Sequence, residues 1–187
     1  LNCPWYVTPG NHDQLSAASE AEFKNYVNNP TNGPAGYEET VFSFNHDNAH
    51  FICLNSAHYG QRHHVQLSWL QSDLATTNKP HIFVWTHEPA YPVSWGIGAS
   101  LDVYPTERDD FWNIMSRAGV MCFFCGHDHY YQRSKHGSMY QMLVGTSGSA
   151  PMPVVPDVVA AYHYVVFTID GNRVHVEAKY DDGTIFD

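Results

Sequence analysis

Charged side chains are scarce in this chain: 15% of its 187 residues, with 9 Lys and Arg against 19 Asp and Glu. So few cations leave no electrostatic footprint for a phosphate backbone, which excludes a nucleic-acid surface. No apolar run approaches the ~18 residues that a membrane-spanning helix needs, so no such helix is expected. Repeats and low-complexity linkers are missing too, and residues 1–187 read as one domain. Cysteine is sparse, at Cys3, Cys53, Cys122 and Cys125. Cys122 and Cys125 fall in a run that reads as a buried strand, where positions i and i+3 face opposite ways. That argues for buried free thiols over a bridge or a zinc knuckle. There is no N-x-[ST] sequon and no basic stretch leading into an apolar leader, and the first residue is Leu1. The expectation is either a removed leader or a piece of a longer protein.

What is present makes a core. Hydrophobic residues are 43% and aromatics 14%, a composition that excludes disorder, coiled coil and collagen. A chain this long can bury roughly 70% of its unfolded surface. Histidine is in excess, at 13 scattered residues against a net charge of −10. Full protonation of the imidazoles would reverse the sign of that charge, and such excess points to metal or pH chemistry.

The element pattern is mixed α/β. Cys3 to Thr8 predicts a strand running into the turn Pro9-Gly10-Asn11-His12-Asp13. Ser19 with Glu22 predicts a capping box and a helix through about Asn28. After a proline- and glycine-rich loop from Pro30 to Gly36, Val41–Asn45 and His50–Asn55 predict a hairpin around Asp47-Asn48. Leu67, Leu70 and Leu74 keep helical spacing to Ala75. His81–Thr86 predicts a strand that must stop before Pro89. Pro89 to Pro105 is a long loop, and loops of that length usually serve function. A helix capped by Thr106 and Asp109 carries Phe111, Ile114 and Met115 to Gly119. Strands are then expected at Val120–Cys125, Tyr140–Val144, Tyr162–Ile169 and Arg173–Tyr180. The last two flank the turn Asp170-Gly171-Asn172, and a loop spans Gly145 to Pro156.

Three strand ends carry polar clusters: Gly10-Asn11-His12-Asp13, His87, and Gly126-His127-Asp128-His129. Ligands of open α/β sheets collect beyond the carboxyl ends of the strands. Imidazole nitrogen and amide oxygen suit zinc, iron and manganese. An extended backbone would aim His127 and His129 the same way, whereas a bent one could serve two ions. Taken singly, each cluster has an ordinary account: a reverse turn for the first, a satisfied turn histidine for His87, a surface loop for the third. Their joint occurrence at three strand ends favours a metal site.

These motifs resemble the calcineurin-like metallophosphoesterase superfamily, and in local detail its purple-acid-phosphatase-like branch. Val84-Trp-Thr-His87 followed by Pro89 and Tyr91, and Gly126-His-Asp-His-Tyr-Tyr-Gln-Arg-Ser134, are similar to that branch's V-x-x-H and GHVHxYER[ST]. Gln66-Leu-Ser-Trp-Leu70 resembles the helix ahead of the V-x-x-H strand. The resemblance implies mixed sheets in the C-terminal portion of a four-layer αββα sandwich. It implies Asn11, His87 and His127 on one metal, His129 on another, His12 as the acid for the leaving oxygen and Asp13 orienting His12. The implied reaction is hydrolysis of a phosphate ester with two ions drawn from zinc, iron and manganese. It also leans toward an exported protein.

The branch's D-x-[HG] and G-D-x-x-[DY] motifs do not occur in these residues. All four matched ligands are neutral, so weak binding of one ion or none is expected for this chain alone. Asp13, Asp47 and Asp128 are the acids that could fill the gap. An apolar edge beside Val7 would call for an upstream segment or self-association. Two further readings compete with the phosphoesterase. One is a metal-poor remnant that binds a ligand or partner. The other is a zinc-only hydrolase, whose sole candidate base, Glu88, reads better as a charged turn residue.

Overall fold

The apolar runs of the sequence become neighbouring strands, as the computed structural model of residues 3–187 shows. A helix, α1 (Ala17–Lys24), precedes the hairpin of β1 (Phe42–His46) and β2 (Ala49–Cys53). Then come α2 (Leu67–Thr76), β3 (His81–Trp85), α3 (Pro105–Arg117) and β4 (Cys122–Cys125). Four more strands complete the order: β5 (Tyr131–His136), β6 (Met139–Val144), β7 (His163–Asp170) and β8 (Arg173–Tyr180). One sheet has six strands in the order β1-β2-β3-β4-β6-β5, and a second is the β7-β8 hairpin. Within the first, β2, β3, β4 and β6 run parallel, with β1 and β5 antiparallel at the edges.

Two apolar layers follow from this arrangement. On one face Leu70 and Leu74 of α2 and Phe111 and Met115 of α3 pack against Ile52, Val84 and Phe123. The other face meets the β7-β8 hairpin through Phe83, Met142, Phe167 and Val176. The carbonyl of Gly171 at the hairpin turn accepts hydrogen bonds from Asn48 Nδ2 at 2.7 Å and His81 Nε2 at 2.8 Å. Those bonds tie the two sheets at the amino ends of the parallel strands. The result is helix, sheet and sheet in layers, the mixed α/β arrangement expected of part of a four-layer sandwich.

Several expectations need correction. Residues Cys3 to Thr8 form no strand. Val7 instead uses the Asn29 side chain as its hydrogen-bonding partner, giving N–H to Oδ1 at 3.2 Å and accepting Nδ2 at 2.7 Å. The capping box lies three residues earlier than predicted. Ser16 Oγ takes the Ser19 N–H at 3.1 Å, Ser19 Oγ takes the Ser16 N–H at 2.8 Å, and the helix ends at Lys24, short of Asn28. The third helix starts at Pro105 rather than from a Thr106 cap, since proline suits a first helical position whose N–H has no partner. Strand β5 was not expected, because its residues Gln132 to His136 are polar. Its half-exposed edge position accounts for that pattern.

Candidate metal centre

The carboxyl ends of β3 and β4 deliver His87 and Gly126-His127, and the turn after Pro9 brings Asn11 to the same place. His87 Nε2 lies 2.9 Å from Asn11 Oδ1 and 3.1 Å from His127 Nδ1. Two ligands on one tetrahedral ion with bonds of ~2.1 Å stand ~3.4 Å apart, so this spacing is slightly inside that of a loaded site. Gly10 admits the ring. A Cβ there would sit 3.0 Å from His87 Cε1, with both ring nitrogens at 3.2 and 3.3 Å.

The electrostatics keep these imidazoles neutral. Burial, helped by the neighbouring His127, His12 and His129, pulls the pKa of His87 down to about 3. Burial also lowers that of His127. A neutral imidazole is the form that binds a metal. His127 Nε2 is buried without a hydrogen-bond partner, while its Nδ1 is the nitrogen beside His87.

The backbone decides how the third motif is used. His127 takes a left-handed conformation, with φ of 68°, and the chain bends through Asp128 N–H to Gly126 O at 2.8 Å. The backbone of this motif is therefore bent rather than extended. His129 Nδ1 donates to Ala150 O at 3.1 Å, which leaves its Nε2 as the free nitrogen.

His12 and Asp13 are exposed on the same turn. The expected Asp13–His12 contact gives way to a local one: Asp13 Oδ2 accepts the Gly10 N–H at 2.8 Å, while Asp13 N–H donates to Gly10 O at 3.0 Å. The tight turn engages one oxygen of the carboxylate expected to orient His12.

No acid completes the site. Asp128 is fully buried, and its oxygens accept backbone N–H groups of Val93, Ser94 and Gly96. Asp47 is exposed in the β1–β2 turn, at the opposite end of the sheet. Glu88 lies in the bend after β3, as a turn residue should, but it is fully buried against His63 Nδ1 at 3.1 Å, and burial raises its pKa. Among the described residues no group of three or more His, Cys, Asp or Glu gathers as a metal cage. The trio reaches three donors only through the amide of Asn11. These donors fit one zinc-like ion, held by neutral ligands with room for a water; they do not fit two.

A cavity of about 430 Å³ adjoins the trio, lined by Thr8, Trp85, His87, Gly126, Val144 and Ser147 among others. Trp95, which the sequence reading passed over, packs its ring 4.5 Å from that of His127 and 5.6 Å from that of His129. Its only signal was membership of a long loop carrying glycines and aromatics.

Two histidines at the carboxyl ends of β3 and β4, met by an Asn from a neighbouring turn on a mixed α/β layer structure, are the arrangement of a metallophosphoesterase. The calcineurin-like phosphoesterase family model matches residues 1–131, and the chain belongs to that family. Its likeness is to the purple-acid-phosphatase branch. It is 27% identical to mouse tartrate-resistant acid phosphatase type 5 over 98% of this chain and 62% of that protein. It is 29% identical to Arabidopsis thaliana purple acid phosphatase 21 over 71% of this chain and 31% of that one. In structure it matches a purple acid phosphatase from yellow lupin seeds with a TM-score of 0.78 at 15% identity, over 96% of this chain and 39% of that chain. The chain thus spans less than two thirds of the length of these relatives.

Proposed function

We propose that this chain carries the Asn11, His87 and His127 half of a phosphatase centre whose substrate is a phosphate ester. The observation that supports the reading most is the convergence of three neutral donor atoms on one point, His87 Nε2 standing 2.9 Å from Asn11 Oδ1 and 3.1 Å from His127 Nδ1. A bound zinc, iron or manganese ion supplies Lewis acidity that acidifies water and offsets charge on phosphoryl oxygens. The chain's own residues do the rest. Gly10 and the β3 end hold His87 in register. His129, oriented by Ala150 O, presents Nε2 toward a second position that needs carboxylates from elsewhere, whether an upstream segment or a partner chain. His12, exposed beside Asn11, holds the proton that the leaving oxygen takes up. Asp13 fixes the turn that presents it.

Hydrolysis of p-nitrophenyl phosphate by zinc-, iron- or manganese-supplemented protein tests this reading. Activity should fall by at least about 100-fold in His127→Ala, and a rate indifferent to that change would refute it. A second reading has an observation of its own. Asp128 is spent on backbone N–H groups, and Glu88 is held through one oxygen by His63. A chain so poor in free carboxylates suits a metal-poor module that binds a phosphate ester or a partner without turnover. Binding of phosphate without hydrolysis would select it.

A further inference from the structure

Asp128 is a fully buried carboxylate with no salt-bridge partner among the described residues. Its charge is met by the main chain of the Pro89–Pro105 loop. Oδ1 accepts the Gly96 N–H at 2.8 Å, and Oδ2 accepts that of Val93 at 2.9 Å and, more loosely, that of Ser94 at 3.4 Å. Hydrogen bonds to a charged acceptor are roughly twice as strong as neutral ones. The fit leaves no slack. A Cβ on Gly96 would meet Asp128 Cγ and both carboxylate oxygens at 3.0 Å, and one on Gly145 would meet Asp128 O at 1.8 Å. Asp128 is therefore fixed at its backbone and at its side chain alike.

The held loop carries Trp95. Its ring stands tilted at 50° to His127 and nearly perpendicular, at 84°, to His129. Even so it remains 38% exposed. An apolar aromatic face thus stands open beside both histidines of the third motif. Such a face gains by being covered by another flat ring, through burial and stacking, and gains little from a short alkyl group.

We propose that Asp128 is a positioning residue, and that the loop it clamps makes Trp95 an aromatic wall selecting phosphate esters with planar aromatic leaving groups. The proposal rests on the phosphatase reading for its substrate class. Binding separates the two, because affinity needs no turnover.

The test measures the affinities of phenylphosphonate and methylphosphonate for the zinc-loaded chain by calorimetry. The expected preference for the phenyl compound is about tenfold, the scale of one aromatic stack. Trp95→Ala should remove it by weakening phenylphosphonate alone, while Trp95→Phe should keep most of it. Asp128→Asn should erode the same preference, since an amide cannot accept all of these N–H groups. If that variant fails to fold, the two Trp95 variants decide the matter. Equal affinities in the unaltered chain, equal losses of both ligands in Trp95→Ala, or no binding of either ligand would each overturn the proposal. A chain that binds with the preference but leaves p-nitrophenyl phosphate intact would keep the wall and lose the phosphatase. One that hydrolyses the ester with equal affinities would do the reverse.

Discussion

Gly10 lies hard against His87: a Cβ there would stand 3.0 Å from the imidazole Cε1, tighter than an ordinary contact. The first and second motifs, 77 residues apart at Gly10 and His87, therefore interlock through the absence of an atom. Gly10→Ala should fold, because its backbone lies outside the left-handed region, at a cost of about 1–3 kcal/mol for overpacking. Its zinc affinity should fall by more than the loss in stability explains, because the ring must shift away from Asn11 and His127. Competition titration with a chromophoric chelator checks this, and an unchanged affinity counts against the interlock.

The metal-free chain should lose stability as pH falls from 7 toward 5. Burial depresses the pKa values of His87, His127, His136 and His163. The folded state then binds fewer protons than the unfolded state below the usual histidine pKa. Stability is present above about 6.5 and drains as pH falls, for His87 down to about 3. Glu88, with its raised pKa, acts in the opposite sense, but it is one group against four. Urea midpoints at pH 7, 6 and 5 should decrease in that order. A flat or rising series contradicts the buried-imidazole account.

Thiol reactivity should divide sharply. Cys3 is exposed, whereas Cys53, Cys122 and Cys125 are buried and free. Burial pushes the Cys53 and Cys122 thiols up to about 12, and that of Cys125 upward as well. An aromatic disulfide reagent should label Cys3 alone in the native chain and all 4 cysteines in urea. Fast native labelling of a second thiol would contradict the burial of these three.

The buried pair of Glu88 and His63 calls for its own test. Glu88→Ala should cost about 1–3 kcal/mol, by leaving His63 Nδ1 without its partner. Glu88→Gln, which keeps an acceptor for the ring N–H, should cost less. Thermal melts of the two variants compare them, and equal losses would deny the hydrogen bond its role.

The sequence could be read well where a local rule and the tertiary environment agree. The runs at 81–86 and 120–125 are apolar because both faces of β3 and β4 are covered, and their ends carry His87 and His127. It misled where the partner is distant in the chain. Cys3 to Thr8 looks like a strand, but the hydrogen bonds of Val7 go to the Asn29 side chain. The polar residues of β5 gave no apolar signal, because an edge strand needs little. Asp13, Asp128 and Glu88 were readable as acids near the motifs, but not for where their oxygens point. Asp128 depends on the main-chain path of a loop more than 30 residues upstream, and Glu88 on the turn at His63. Residue type and spacing carry no record of either.

Metal content per chain tests the central claim most directly. Plasma mass spectrometry on protein equilibrated with zinc and freed of excess should find close to one ion per chain, and none in His127→Ala. Two tightly held ions, or an ion that survives His127→Ala, would contradict a one-ion centre built from Asn11, His87 and His127.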